Sequence, residues 1–413
     1  MEKKSYWLII IILLFFSMAF SCKKEYPVPE VPVVEEPDTS ALEKYEMIWQ
    51  IPIYPDSIVT SSNLSVNMYN DNFLFLRDKE WGGIHDLLYI DGKTGAQIWM
   101  WNDYLHSEKI GIGGMFEDGY YYVSGYSEYY CINMETGITR WVHDMEDNTT
   151  IGGNINSGDY IYSRTYHWSN LISEGDKISI VKIKKSTGKV SEVFSLEKKD
   201  DYWISMPLPS VWFNDQNDTI LVFQNRQYRL SPYKDKADIY SYNMTQDTIM
   251  WMLEDYGDGT LSNGRRLVVD EDRIYFLNAR TMYCLDKYTG ETLWSKSYNT
   301  TFLCSNYFVV DDKIIYGSCE GHLVILDKLT GEELYFVEDG SAIFHITYHD
   351  GRLYYINGSI KIVDVNTGKK LYDIKTPNKS AGNYFTGRVL LNEELGYMYA
   401  HDYYFLMCMK IPE

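Results

Sequence analysis

Along most of this 413-residue chain, short apolar runs alternate with polar turns in one recurring order. An apolar strand ends on an Asp or Asn, a Thr-Gly turn follows three residues later, and an aromatic residue comes after it. The first copy has Asp91, Thr94, Gly95 and Trp99, and the second Asn133, Thr136, Gly137 and Trp141. The third has Lys184, Thr187 and Gly188, followed by Phe194; the fourth keeps Asn243 and Trp251 but has Gln246-Asp247 in place of Thr-Gly. The fifth has Asp286, Thr289, Gly290 and Trp294, the sixth Asp327, Gly331 and Tyr335, and the seventh Asp364, Gly368 and Tyr372. The glycine positions, with Asp247 as the fourth, step by 42, 51, 59, 43, 41 and 37 residues. That period is the length of a four-stranded propeller blade.

An acidic or Asn-rich turn introduces a further strand ahead of each copy. These turns lie at 70–72, 118–119, 158–159, 217–218, 270–272, 311–312, 350–351 and 393–394, one more than the seven Thr-Gly copies. The eighth is followed by strands at 397–400 and 405–410, and the outer strand is supplied by residues 46–53, where Trp49 takes the place of the repeated Trp. The predicted fold is therefore all-β: an eight-bladed β-propeller of four-stranded antiparallel blades over 45–413, its last blade closed by the N-terminal strand. Closure removes free sheet edges.

The repeated residues have a structural reading. Asp or Asn accepts backbone N–H bonds inside the turn. Gly supplies a positive φ in the hairpin loop. The Trp buries a flat surface between blades. Asp91, Gly95, Trp99, Gly137, Trp141, Gly188, Trp251, Asp286, Gly290, Trp294, Asp327, Gly331, Asp364, Gly368 and Trp49 are assigned to the scaffold rather than to chemistry.

Residues 1–22 read as a lipoprotein signal peptide. Lys3 and Lys4 precede an apolar run of about 15 residues, short for a spanning helix, and Ala19-Phe20-Ser21-Cys22 resembles a lipidation site at Cys22. Residues 23–44, with Pro27, Pro29, Pro32 and Pro37, read as an extended Pro/Glu-rich tether. A net charge of −20 argues against nucleic acid as a partner. Cys131, Cys284 and Cys408 fall at one repeat position and read as buried core residues. Cys304 and Cys319 face each other across the 311–312 turn at a hydrogen-bonded pair, a site unfavourable for a bridge.

The Asp-x-x-Thr-Gly-x-x-x-Trp repeat resembles that of the PQQ-type (quinoprotein-like) propellers, over nearly all of the chain after the tether. Two branches of that family imply different functions. The quinoprotein dehydrogenases oxidise alcohols or sugars with pyrroloquinoline quinone and calcium; many carry an adjacent Cys-Cys pair, which this chain lacks. The BamB-like lipoproteins are non-enzymatic eight-bladed scaffolds of outer-membrane protein assembly. This chain resembles the second branch in length, lipid signal, blade count and closure, and departs from it in long insertions in blades three and four and in its 38 tyrosines.

In such a fold the Thr-Gly turns share one face and the long connections the other. Those connections run over 77–86, 164–177, 197–209 and 224–238 and carry Trp81, His85, Tyr166, His167, Trp168, Trp203, Arg226, Tyr228 and Arg229, a candidate binding face. Six of the eight histidines (85, 106, 143, 167, 322 and 401) fall on it without a metal-binding spacing. The expectation is a non-catalytic outer-membrane lipoprotein, on the periplasmic or cell-surface side, with envelope proteins as partners and no cofactor or metal. The alternative is a surface lipoprotein that binds glycans or small ligands, and the third reading a quinone-dependent oxidoreductase.

Overall fold

The computed structural model describes residues 45–413 apart from 54–61, 66, 79–84, 102–113, 126, 146–148, 168–175, 199–201, 231–232, 257–265, 279–280, 298–306, 318–321, 339–344 and 378–382; the side chains of 62–63, 77–78, 85, 228–230, 233–235, 316–317 and 338 also fall outside the description. The signal peptide, the tether, Cys304 and Cys319 lie outside the described residues.

The described residues form eight antiparallel sheets arranged as an eight-bladed β-propeller. Blade one spans residues 62–101, two 115–144, three 149–197, four 203–253, five 268–297, six 307–338, seven 346–374 and eight 386–410. Within each blade the strands are called A to D in chain order. Inner strands touch between blades seven and eight, eight and one, three and four, and four and five, as strands around an axis do. Blade eight takes its D strand from Met47–Pro52, paired antiparallel with Phe405–Lys410.

The core is divided into eight layers. Each buried apolar cluster joins two neighbouring blades, so the ring is held by face-to-face packing of twisted sheets. Cys131, Cys284 and Cys408 are buried free thiols in three different layers.

Blade four departs from the four-stranded expectation. Its inner strand is split into Trp203–Ser205 and Ser210–Phe213, both paired with the long strand Thr219–Leu230. Pro207 and Pro209 lie between the two pieces, and proline cannot donate to a ladder. The B–C hairpin is overlong, and the extra inner piece covers its protruding end.

Candidate functional site

The turn face is built from local hydrogen bonds. In the first copy the Thr94 N–H and hydroxyl both donate to Asp91 Oδ1 at 2.8 Å, and the Thr94 hydroxyl accepts the Ala96 N–H at 3.2 Å. Asp286, Asp327 and Asp364 accept equivalent N–H bonds, and Asn133 does so through its amide oxygen. These carboxylates are spent on their own turns.

The repeated glycine has a second duty that its φ alone did not reveal. Gly95, at φ +74°, lies under the indole of Trp49 from the preceding blade, and a Cβ there would meet ring carbon at 2.9 Å. Gly137 lies under Trp99, Gly188 under Trp141, Gly290 under Trp251 and Gly331 under Trp294; Gly368 lies under Tyr335. Each of the five indoles donates its Nε1–H to the carbonyl one residue after the Asp, Asn or Lys that opens the next copy: Gly92, Met134, Lys185, Lys287 and Lys328. The repeat is thus a two-part joint between successive blades.

On the loop face, Trp81, Trp168 and His106 lie outside the described residues, as do the side chains of His85, Tyr228 and Arg229. Pairing of the split inner strand brings Trp203 opposite Tyr228 and Ser205 opposite Arg226. The Trp203 ring lies beneath Lys198 Nζ at 4.7 Å, and Lys198 pairs with Asp176. Tyr166 donates its hydroxyl to the Met206 carbonyl, which also accepts from Arg164. Ile204 and Met206 are buried in the layer between blades three and four. The 202–207 segment therefore packs locally against its own blades. His143, His167, His322 and His401 belong to four different blades, and His167 Nδ1 lies 3.2 Å from the Thr149 hydroxyl.

Blade eight stands where the sequence places it, but the pattern did not announce the buried turn between its strands. In the turn after Tyr397–His401, Asp402 is fully buried. Its carboxylate accepts from the Thr376 hydroxyl, the Asn383 side chain and the Tyr404 and Phe405 N–H groups at 2.7–2.8 Å. This ties the blade-seven to blade-eight connection to the turn and fixes Tyr384 and Tyr404 with 44% and 43% of their surface exposed. Tyr403 donates to the Tyr384 hydroxyl at 2.5 Å and meets its ring edge to face. The local signal was His401-Asp402-Tyr403-Tyr404 between two apolar strands, a strand–Asx-turn–strand pattern.

Arg388 lies in strand A of the same blade, where the pairing register slips between Thr386 and Leu390. Its Nη2 donates to His345 Nδ1 at 3.3 Å, and it lies within electrostatic reach of the Tyr121 hydroxyl in blade two. Burial pushes the Arg388 pKa down. The axial side chains that approach each other are thus nitrogen donors and a phenol. Among the described residues no group of three or more His, Cys, Asp or Glu could hold a metal ion.

The family model described as outer membrane protein assembly factor BamB matches residues 235–411, from the hairpin of blade four to the end of blade eight. BamB from Moraxella catarrhalis superposes with a TM-score of 0.56 at 14% identity, covering 89% of this chain and 100% of that one. This chain is an eight-bladed β-propeller protein that resembles the PQQ-type propellers and BamB among them. The quinohemoprotein alcohol dehydrogenase from Comamonas testosteroni is similar too, with a TM-score of 0.63 at 10% identity over 89% of this chain and 78% of the enzyme. The C-terminal WD40 domain of Sif2 gives 0.61 at 14% identity over 90% and 99%. At these identities the structural likenesses show a shared fold. No curated protein matches the chain at a significant level. The calcium ion of the quinoprotein branch calls for converging oxygen donors; the described residues of this BamB-like propeller do not fit it.

Proposed function

We propose that this chain is a membrane-anchored, non-catalytic propeller scaffold of the cell envelope, attached through lipid at Cys22, that binds partner proteins in outer-membrane protein assembly. The observation that carries this reading is the closed ring in which the repeated polar residues serve the joints between blades, combined with the BamB family match over 235–411. The acidic body supports contact with the membrane through the anchor alone. Affinity purification of the full chain from crosslinked membranes tests it: envelope proteins should co-purify above background, and their absence removes the support. Radiolabelled palmitate should enter the wild type and not Cys22→Ala.

One observation favours a second reading, a surface glycan-binding lipoprotein. Tyr384 and Tyr404 are exposed on a rigid turn, and aromatic faces stack on sugar rings. Glycan-array binding lost in Trp203→Ala and Tyr404→Ala would favour it; flat binding curves would dismiss it. The enzymatic reading is tested by titration with pyrroloquinoline quinone and calcium, where a thermal shift with dye reduction would revive it.

A further inference from the structure

One junction between blades is built differently from the rest. Where a repeat copy opens and a Trp or Tyr stands four residues after its glycine or Asp247, the aromatic pairs with the residue two before the opening Asp or Asn: Tyr89 with Trp99, Cys131 with Trp141, Ser241 with Trp251, Cys284 with Trp294, Ile325 with Tyr335 and Ile362 with Tyr372. In blade three that place in the sequence is Glu192. The bulge falls between Ile180 and Val181, so Phe194 pairs with Ile180, closer to the loop face. There its ring packs on Phe223, Tyr240 and Tyr242 of blade four. Glu192 turns instead to Ser179 and Lys177, each at 2.8 Å.

The receiving side is changed as well. Asp247, at φ +54°, stands where other blades have glycine, and the Tyr242 hydroxyl donates to its carboxylate. The Met244 carbonyl occupies the place of the five carbonyls that take an indole N–H, and no indole reaches it among the described residues. What remains is an open cleft of about 660 Å³ whose lining includes the apolar Val193, Phe194 and Ile249 together with Tyr242, Glu192 and Asp247. Beside it, the outer strand of blade four exposes Ile249, Met250 and Met252 by 51%, 38% and 38%. An apolar edge strand next to an open seat is the surface a protein partner covers.

We propose that this cleft seats an aromatic side chain, a tryptophan carried by an extended segment of a partner protein, and so completes the joint that an internal tryptophan completes at five other junctions. The five seats filled by tryptophan specify the occupant: a flat ring with an N–H donor. In those seats a Cβ on the glycine would meet the ring at 2.5–2.9 Å. Asp247 has that Cβ, so the entering ring lies farther out, between Phe194 and Ile249. The inference rests on the scaffold reading for the origin of the partner, while the chemistry of the seat is independent of it.

The test uses the full chain with methionine methyl groups labelled with carbon-13, the Met250 resonance being assigned through Met250→Leu. The probes are the capped pentapeptide Gly-Ser-Trp-Ser-Gly and its Trp→Ala counterpart. The Trp peptide should shift Met250 saturably and the Ala peptide should not. Glu192→Trp with Asp247→Gly rebuilds the ordinary joint; it should melt higher than the wild type and show no shift. Ile249→Glu, an exposed change that leaves the core intact, should weaken the peptide at least tenfold and decides the matter if the double variant fails to fold. No shift with the Trp peptide, equal shifts with both peptides, or a shift that survives Ile249→Glu would overturn the proposal. Envelope proteins that still co-purify with the rebuilt joint would leave the scaffold reading standing alone; a peptide shift without any envelope partner would leave the seat standing alone.

Discussion

The indole of Trp49, carried by the first strand of the ring, lies on the backbone of Gly95 in the next blade and donates its N–H to the Gly92 carbonyl at 3.0 Å. This contact closes the ring, and it makes glycine necessary for two separate reasons. A side chain at φ +74° is strained, by about 1–2 kcal/mol, and its Cβ would also strike the ring. Gly358 isolates the first reason, since it has φ +71° with nothing within 4 Å of an added Cβ. Gly95→Ala should therefore destabilise by about 1–3 kcal/mol more than Gly358→Ala, the cost of overpacking. Denaturant unfolding of the two variants measures the difference, and equal losses would mean that the indole moves aside freely.

Closure can be checked through a thiol. Cys408 is buried opposite Trp49, and burial pushes its pKa up to about 12. In a chain with Ser at 22, 304 and 319, all three remaining thiols should resist Ellman's reagent at pH 8. Removing residues 1–53 uncovers the edge of Phe405–Lys410 and should make Cys408 react within minutes, with association of the open edges in size-exclusion chromatography. A truncated chain whose thiols all stay protected would show that the N-terminal strand is dispensable. Trp49→Ala is the milder version, with an expected loss of about 3 kcal/mol.

The architecture was legible because each blade repeats one local solution, so a degenerate copy could be aligned with its neighbours. Met47–Pro52 was recognisable as a D strand because the eighth blade lacked an outer strand and Trp49 took the place of the repeated Trp. Phe194 was misleading: Glu192 has the spacing of the repeated Trp, and only the position of a bulge, set by pairing across the blade, shows that Phe194 sits elsewhere. The seating of Gly95 under Trp49 joins residues 46 positions apart by sequence and involves two blades, so no local pattern announces it. Asp402 was hidden for a related reason. Its partners Thr376 and Asn383 lie on another connection, and the carboxylate reads as an ordinary turn residue until they are placed around it.

Asp402 should carry much of the order of the loop face in blade eight. Asp402→Ala leaves Thr376 and two turn N–H groups without their acceptor. Hydrogen bonds to a charged group contribute about 1.5–3 kcal/mol, and a cooperative loss of about 3 kcal/mol is expected. Hydrogen exchange should quicken at Tyr404 and Phe405 while blades two to five keep their protection. A loss spread evenly over all blades would mean that the carboxylate supports the whole ring rather than this turn.

His401 gives the ring a pH dependence of defined sign. It is fully buried, its Nδ1–H donates to the Asp402 carbonyl at 3.2 Å, and its ring meets Phe75 edge to face. Burial lowers its pKa from 6.5 to about 4. The folded state therefore holds this histidine neutral while the unfolded chain protonates it. Between about pH 6.5 and 4 the unfolded state binds more protons, so stability falls as pH falls through that window. The full shift corresponds to about 3 kcal/mol, lost by pH 4. His143, whose pKa burial also lowers, adds to the same slope. Asp71, Asp218, Asp312 and Asp373 are held below the ordinary carboxylate value, so their contribution is lost only at more acid pH. Urea unfolding from pH 7 to 4.5 should show stability declining in the wild type and a clearly shallower decline in His401→Gln. Parallel curves for the two proteins would mean that His401 is protonated in the folded ring, and that its environment is not the dry layer between blades eight and one.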